Sequence, residues 1–186
     1  IDCGRKDIKG IVIITAGFSE TGHKKEEEEV LSIVKQYGMR MVGPNCMGII
    51  NTDPDYHLHA TFAMTHPKMG NVGFVSQSGA LGVAILDSAH TLNIGFSMFV
   101  SVGNKADISA NDLLEYWEDD PATEVILLYL ESFGNPRNFT KLARQIVRKK
   151  PIIAVKSGRT ALGAKAASSH TGALAGMDVA IDALFN

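Results

Sequence analysis

Short apolar runs alternate with amphipathic segments along most of the chain, and this alternation predicts its secondary structure. Apolar runs without polar alternation are typical of strands that are buried on both faces of a parallel sheet. From Asn71 onward we predict strands at residues 72–75, 95–101, 124–130 and 151–156, and helices at residues 78–92, 109–119 and 136–149. Strands that alternate with helices of about 10 to 15 residues predict an α/β fold with a doubly wound parallel sheet.

Signals at the helix ends support this pattern. Ser109 is followed three residues later by Asp112, which is the capping pattern of a helix N-terminus. Pro136 lies near the start of the next helix, where a missing N–H group leaves no helical hydrogen bond unmade. Trp117 lies on the apolar side of its helix, so we expect it in the core and not in a ligand site.

A strand–helix–strand pattern precedes this region. The β-branched run at residues 11–15 predicts a strand buried on both faces, and residues 39–42 predict a second strand. Between them, residues 24–37 predict a helix that ends at Gly38. The glutamates near its N-terminus interact favourably with the helix dipole, and we expect them on a solvated face.

Residues 51–70 are polar and contain proline, so we expect an irregular stretch there. We place a domain boundary in it, which divides the chain into residues 1–66 and 67–186. Three histidines fall in this stretch: His57, His59 and His66. Because no carboxylate or cysteine has suitable ligand spacing beside them, we predict no metal site.

Composition excludes several classes of protein. The 186 residues are 45% hydrophobic, as expected of a globular protein, and they contain no apolar run long enough for a membrane helix. A net charge of −2 leaves no broad surface for nucleic acid or anionic lipid. Cys3 and Cys46 are too few for a disulfide framework, which favours a cytoplasmic protein with free thiols. The chain begins without Met and ends inside a helical pattern, so we expect a fragment.

Polar residues follow several predicted strands, which is where ligands bind in open parallel sheets. Residues 76–79, Ser-Gln-Ser-Gly, open a helix, and their hydroxyl groups with unpaired helix N–H groups predict a phosphate site. Simple N-capping by serine is the alternative interpretation. The loop at residues 101–107 offers amide and carboxylate groups to a ligand. Glu131 follows the third strand and could orient an imidazole, with a helix-entry or surface glutamate as the alternative.

The last strand is followed by a segment that nearly matches a Walker A loop. Ala164 separates the second glycine from Lys165, and no Ser or Thr follows, so a P-loop is excluded. His170 lies among small residues, where its imidazole is the one side chain suited to nucleophilic chemistry near neutral pH. A phosphorylated histidine is the sharpest hypothesis, and a surface-loop histidine is the alternative.

Several motifs in order along the chain resemble those of the nucleoside-diphosphate-forming acyl-CoA synthetases, and most of all the α part of ADP-forming acetate–CoA ligases. The motifs are GPNCMGIIN at residues 43–51, GFVSQSGAL at 73–81, SVGNKAD at 101–107, LE at 130–131, and the segment from KSGRT to SHTGALAG at 156–176. The resemblance covers essentially the whole chain. It implies that residues 1–66 are the C-terminal half of a Rossmann-like CoA-binding domain and that residues 67–186 form a flavodoxin-like, succinyl-CoA synthetase-like domain.

The resemblance also implies an enzyme, an acid–thiol ligase. Such a ligase interconverts acyl-CoA, ADP and phosphate with a small carboxylic acid, CoA and ATP, through an acyl phosphate and a phosphohistidine. The nucleotide and Mg²⁺ would be bound by an ATP-grasp β subunit or domain that is absent from this chain, in an oligomer. This chain alone should therefore not complete the reaction.

Roles for individual residues follow from the resemblance alone. His170 would carry the phosphoryl group and Glu131 would orient its imidazole. Phosphate would be held by two groups of residues: Ser76, Gln77, Ser78 and Gly79 at one helix N-terminus, and Gly172 and Ala173 at a facing one. CoA would be approached by Gly43, Pro44, Asn45 and Cys46.

Two other functions remain open from the sequence. One is a non-catalytic acyl-CoA-binding regulatory module of a protein lysine acetyltransferase, against which the presence of both His170 and Glu131 argues. The other is a flavin or nucleotide binder, which the fold class permits because fold does not fix function. The lack of an aromatic-flanked flavin loop disfavours this second alternative.

Overall fold

The computed structural model describes residues 1–157. Their strands are β1 (Gly10–Val12), β2 (Arg40–Val42), β3 (Gly48–Asn51), β4 (Leu58–Thr61), β5 (Met69–Ser76), β6 (Phe96–Ser101), β7 (Val125–Leu130) and β8 (Ile152–Lys156). Their helices are α1 (Asp2–Arg5), α2 (Lys24–Gln36), α3 (Gly79–Thr91), α4 (Ala110–Asp119) and α5 (Pro136–Ile146). A 3-10 turn at Ser19–Thr21 precedes α2.

A six-stranded sheet with the order β4-β3-β6-β5-β7-β8 organises most of the described residues. The four strands β6, β5, β7 and β8 run parallel, and the helices α3, α4 and α5 connect them in sequence. The hairpin of β3 and β4 extends the sheet beside β6 in antiparallel pairing. The α/β class and the mostly parallel, flavodoxin-like sheet predicted from the sequence are thus confirmed.

Helices cover both faces of this sheet because successive residues of a buried strand point to opposite sides. On β5, Phe74 packs with Leu86 of α3 in one apolar cluster. Its neighbour Val75 packs with Trp117 of α4 and Phe139 of α5 in the other cluster. Trp117 is fully buried, which confirms its predicted place in the core.

The helices begin and end close to their predicted positions. In α4 the amide of Ser109 donates to Asp112 Oδ2 over 2.9 Å, which confirms the capping pattern. Pro136 is the first residue of α5, as predicted. Helix α5 ends at Ile146, three residues before its predicted end.

Two sequence predictions about the strands are only partly right. Residues 51–70 are not irregular throughout, because β4 and the first residues of β5 lie there. β4 is an edge strand with a polar, partly exposed sequence, and such a strand lacks the apolar signature of a central one. Residues 11–15 do not form a strand buried on both faces, since β1 ends at Val12 and Ile14 is half exposed.

The strands β1 and β2 form a separate two-stranded parallel sheet. Ile11 of β1 and Ile13, which follows β1, pack with Val34 of α2 and with Met39 and Met41 in a third apolar cluster. Arg40 of β2 donates from Nε to Asp107 over 2.9 Å, and the Met41 amide donates to the same carboxylate over 2.8 Å. The loop that follows β6 therefore joins the small sheet to the large one.

Candidate functional site

The strand order of the large sheet places a crevice between the loops that follow β5 and β7. From β5 the chain first adds β6 on one side and then crosses back to add β7 and β8 on the other. In sheets wound in two directions, ligands bind where the order reverses, outside the carboxyl ends of the strands. Ser76 at the end of β5 is in register with Ser101 of β6 and Tyr129 of β7, so the three loops begin at one level.

The loop after β5 leads directly into α3. Ser76 is fully buried, and its hydroxyl donates to the carbonyl of Ser78 over 2.7 Å. Ser78 is the N-cap of α3 and accepts the Leu81 amide over 3.4 Å. The predicted capping role of Ser78 is thereby confirmed. The first-turn N–H groups of α3 still lack helical partners and form the kind of positive end at which phosphate binds.

Gly79 is the residue where α3 begins, and its lack of a side chain has a steric reason. A Cβ atom at this position would lie 2.7 Å from Cγ of Met47. Such a contact is too short for two carbon atoms, so a side chain at residue 79 would require the Met47 side chain to shift. The glycine therefore permits close packing under the turn.

Gln77 connects this loop to the loop after β7. Its main-chain amide donates to the Tyr129 carbonyl over 3.0 Å. Its side-chain Oε1 accepts the amide of Glu131 over 2.6 Å and the amide of Ser132 over 2.9 Å. The carbonyl side of the Gln77 carboxamide is thus occupied. The Nε2 group is the part of this side chain that remains to donate to an anion.

Glu131 is the first residue after β7 and is partly exposed at the crevice. The hydrogen bond to Gln77 places the main chain of Glu131 beside the loop at residues 76–79. Two lysines lie in this region: Lys105 in the loop after β6, whose pKa is affected by Glu131, and Lys156 at the end of β8.

Lys105 was not among the predicted site residues. Its Nζ donates to the Ser132 carbonyl over 2.9 Å and also to the Ser132 hydroxyl. Burial lowers the pKa of Lys105 to about 8, with Lys156 acting in the same direction and Glu131 opposing it. Its place in a polar loop after a buried strand was the available signal, but no sequence pattern indicates a contact with Ser132.

The remaining part of the predicted site lies outside the described residues. His170, Gly172 and Ala173 belong to residues 158–186, and their predicted roles stay predictions. Within residues 1–157 the structure brings together Ser76, Gln77, Ser78, Gly79 and Glu131 at one edge of the sheet.

The predicted CoA-contacting residues 43–46 form the turn after β2. Gly43 has a φ of +97°, and the peptide bond between Gly43 and Pro44 is cis. The Asn45 amide donates to the Thr15 carbonyl over 3.0 Å. Cys46 is buried, its thiol donates to the Ile13 carbonyl over 3.3 Å, and burial raises the pKa of that thiol. Any contact between residue 46 and a ligand would therefore use its main chain.

The polar groups in the loop at residues 101–107 are used within the protein, so the prediction that they are available to a ligand is wrong. Asp107 accepts the bonds from β2 described above. The Asn104 amide group donates to Ser19 Oγ over 3.1 Å and to Glu27 Oε2 over 2.7 Å. Glu27, expected on the solvated face of α2, instead helps to fix the turn before that helix.

Residues 1–157 contain no group of three or more His, Cys, Asp or Glu side chains placed to hold a metal ion. Among the helices of this part of the chain, none has the length and apolar character required to cross a membrane.

Comparison with known proteins gives consistent matches. The family model described as the succinyl-CoA ligase-like flavodoxin domain matches residues 69–186. An ADP-forming acetate–CoA ligase of Methanocaldococcus jannaschii is 55% identical over 99% of this chain and 26% of the relative. The α subunit of ADP-forming acetate–CoA ligase II of Pyrococcus furiosus is 51% identical over 95% of this chain and 38% of the relative.

A solved structure matches the fold as a whole. It is dinucleotide-forming acetyl-coenzyme A synthetase 1 of Ca. Korarchaeum cryptofilum, in complex with phosphate and ADP. The TM-score is 0.93 at 45% identity, over 99% of this chain and 40% of that one. The chain thus spans between about a quarter and two fifths of the length of these relatives.

Proposed function

The chain belongs to the nucleoside-diphosphate-forming acyl-CoA synthetases, and from this premise we propose that it supplies the CoA-binding and phosphohistidine part of such a ligase. The complete enzyme interconverts acyl-CoA, ADP and phosphate with a carboxylic acid, CoA and ATP. The observation that carries the proposal is made where the strand order reverses, between β5 and β7. There, Gln77 of the Ser-Gln-Ser-Gly turn at a helix N-terminus is hydrogen-bonded to the peptide groups on both sides of Glu131.

The proposed reaction has three steps. A phosphate oxygen attacks the thioester carbonyl, the carbon–sulfur bond breaks, and CoA leaves as a thiolate that takes up a proton. An imidazole nitrogen of His170 then attacks the phosphorus of the acyl phosphate, and the carboxylate of the acid is released. ADP finally takes the phosphoryl group from the histidine and becomes ATP.

The described residues fit the demands of the first two steps. Phosphoryl transfer depends mainly on positioning and on electrostatic stabilisation of the phosphoryl oxygens. The N-terminal amides of α3, with Gln77 Nε2, supply donors for those oxygens. Glu131 accepts a hydrogen bond from one imidazole nitrogen of His170 and stabilises the positive charge on the phosphorylated ring. In this proposal Gly172 and Ala173 would donate main-chain amides to the phosphate from a second helix N-terminus.

The other ligands are assigned by the same proposal. CoA approaches the main chain of residues 43–46, in the turn that follows β2. ADP or ATP with Mg²⁺ is bound by an ATP-grasp part outside this chain. The relative from Pyrococcus furiosus is named as an α subunit, which supports a partner subunit, whereas the relative from Methanocaldococcus jannaschii is longer, which supports a fused domain. We propose an oligomeric, cytoplasmic enzyme, where CoA and ATP are available, with acetate as its first candidate acid.

Turnover of the complete enzyme tests the proposal. We expect His170→Asn to abolish formation of acetyl-CoA from acetate, CoA and ATP, because no nucleophile remains to carry the phosphoryl group. We expect Glu131→Gln to slow it by about a hundredfold or more, since the imidazole loses its anionic partner.

His90→Asn is the matched control, because His90 is an exposed histidine near the far end of α3. It should leave turnover unchanged. Normal turnover in His170→Asn would contradict the proposal. A wild-type enzyme that binds acetyl-CoA without turning over would instead favour the regulatory module.

A further inference from the structure

Lys105 reaches from the loop after β6 to the loop after β7. It follows Gly103 and Asn104, and its own backbone has a φ of +51°. This value lies in the left-handed region, which residues other than glycine seldom adopt. Its amide donates to the Val102 carbonyl over 2.8 Å, which closes the turn. Its Nζ then donates to the carbonyl and to the hydroxyl of Ser132. A tight turn therefore directs this ammonium group at the residue next to Glu131.

Gln77 binds the same segment from the other side. Its Oε1 accepts the amides of Glu131 and Ser132, so the two peptide groups that flank the α-carbon of Glu131 are both held. Lys105 binds the next carbonyl along the chain. Side chains from the loops after β5 and β6 thus fix the main chain of Glu131 and Ser132, although Gln77 and Glu131 are 54 residues apart in sequence.

We propose that Lys105 is a positioning residue for the phosphohistidine reaction, because its ammonium group holds the Glu131–Ser132 segment and with it the carboxylate that orients His170. This inference rests on the proposed function. Lys105 itself does not touch the reacting atoms in this account. Its contribution is geometric, and misplacing a catalytic group by about 1 Å can cost about a hundredfold in rate.

The pKa of Lys105 makes its hydrogen bonds to Ser132 dependent on pH. Glu131 from the β7 loop and Lys156 from the end of β8 face it with opposite effects on its pKa, while Gln77 from the β5 loop is uncharged. Since its pKa is about 8, the ammonium group loses its proton as the pH rises past that value. The neutral amine donates a weaker hydrogen bond to the Ser132 carbonyl. Turnover should therefore fall as the pH rises above about 8, which gives the pH profile an alkaline limb.

Lys105→Met in the complete enzyme tests the proposal with two measurements. Hydrogen exchange should show the amides of Glu131 and Ser132 opening about tenfold faster than in wild type, as expected for loss of a charge-assisted hydrogen bond. The kcat should fall by about tenfold to a hundredfold, with KM for CoA and acetate nearly unchanged. Lys105→Arg should restore much of the kcat and move the alkaline limb upward, because arginine stays charged.

Lys150→Met is the matched control. Lys150 is also a partly buried lysine, and it donates to the main-chain carbonyls of Trp117 and Asp120, each over 2.6 Å. It differs in position, because it precedes β8 and lies at the amino ends of the parallel strands. It should leave the exchange of Glu131 and Ser132, the kcat and the pH profile unchanged. If Lys105→Met does not fold, the pH profile of Lys105→Arg decides alone.

Unchanged exchange in Lys105→Met would overturn the positioning role, and so would faster exchange with a wild-type kcat. An alkaline limb that stays near pH 8 in Lys105→Arg would overturn it as well. Failure of the proposed function is a separate result. In that case the wild-type enzyme does not turn over, while hydrogen exchange still shows whether Lys105 holds the segment.

Discussion

Gln77 shows how one side chain in the crevice serves the structure and the proposed chemistry together. The family resemblance implies that it contacts phosphate, and it lies between two serines at a helix N-terminus. In the folded chain its carbonyl oxygen accepts two amides of the neighbouring loop, and only its Nε2 group remains for an anion. Its role toward phosphate stays a prediction. Its contact with Glu131 was not predictable, because that contact joins two loops that meet only in the folded sheet.

The pKa of Lys105 predicts how its contribution to stability depends on pH. The pKa of about 8 in the folded protein lies below the ordinary lysine value of 10.5 that is expected in the unfolded chain. Between these two values the unfolded chain therefore binds more protons at this residue than the folded protein does. Folding becomes more favourable as the pH rises through this window, because the cost of burying the charged form is lost.

Urea denaturation of wild type and Lys105→Met measures this effect. The free energy of unfolding of wild type minus that of Lys105→Met should increase from about pH 8 towards about pH 10.5. The same titration is expected to lower turnover, so stability and activity should change in opposite directions. A difference in unfolding free energy that stays flat across this range would contradict the burial of a charged Lys105.

The elements that were predicted well are those of the large sheet from β5 to β8. Their strands are continuous apolar runs, since helices cover both faces, and their helices carry a single apolar side. The errors lie where this regularity ends. β4 is a partly exposed edge strand with the sequence LHAT, and β1 pairs only with β2 among the described residues. Strands of these kinds lack the continuous apolar signal.

The N-terminus of α4 offers a test of one of these elements. Ser109→Ala removes the hydroxyl that donates to Asp112 Oδ2 over 2.7 Å and should lower the free energy of unfolding by about 1 kcal/mol. Ser88→Ala is the control, because its hydroxyl donates only to the Ala84 carbonyl one turn back within α3. This second change should be close to neutral. Equal effects of the two substitutions in urea denaturation would contradict a stabilising cap at Ser109.

At the scale of the whole molecule, contacts of the β6 loop join the two sheets. Asn104 binds the turn before α2 and α2 itself, and Asp107 binds β2. These side chains, which were predicted to be available to a ligand, instead connect the two sheets. The domain boundary near residue 67 stays a prediction. The strands β3 and β4 lie before it in sequence, yet they extend the large sheet beside β6.

The proximity of residues 76–79 and Glu131 was predictable because strand ends in a doubly wound sheet converge at a reversal of strand order. This rule places residues 76–79 and Glu131 together, and the structure confirms that they are neighbours. The rule does not predict which polar groups bind each other. Gln77, Lys105 and Ser132 come from three different loops, and their contacts depend on side-chain reach in the folded protein.

The most direct test of the account is whether His170 carries a phosphoryl group. Intact-mass analysis of the complete enzyme after incubation with acetyl phosphate should show the gain of one phosphate that is stable to base and labile to acid. We expect this gain in wild type and in the His90→Asn control, more slowly in Glu131→Gln, and not at all in His170→Asn. A folded wild-type enzyme that gains no phosphate, or a phosphate that persists in His170→Asn, would contradict the account.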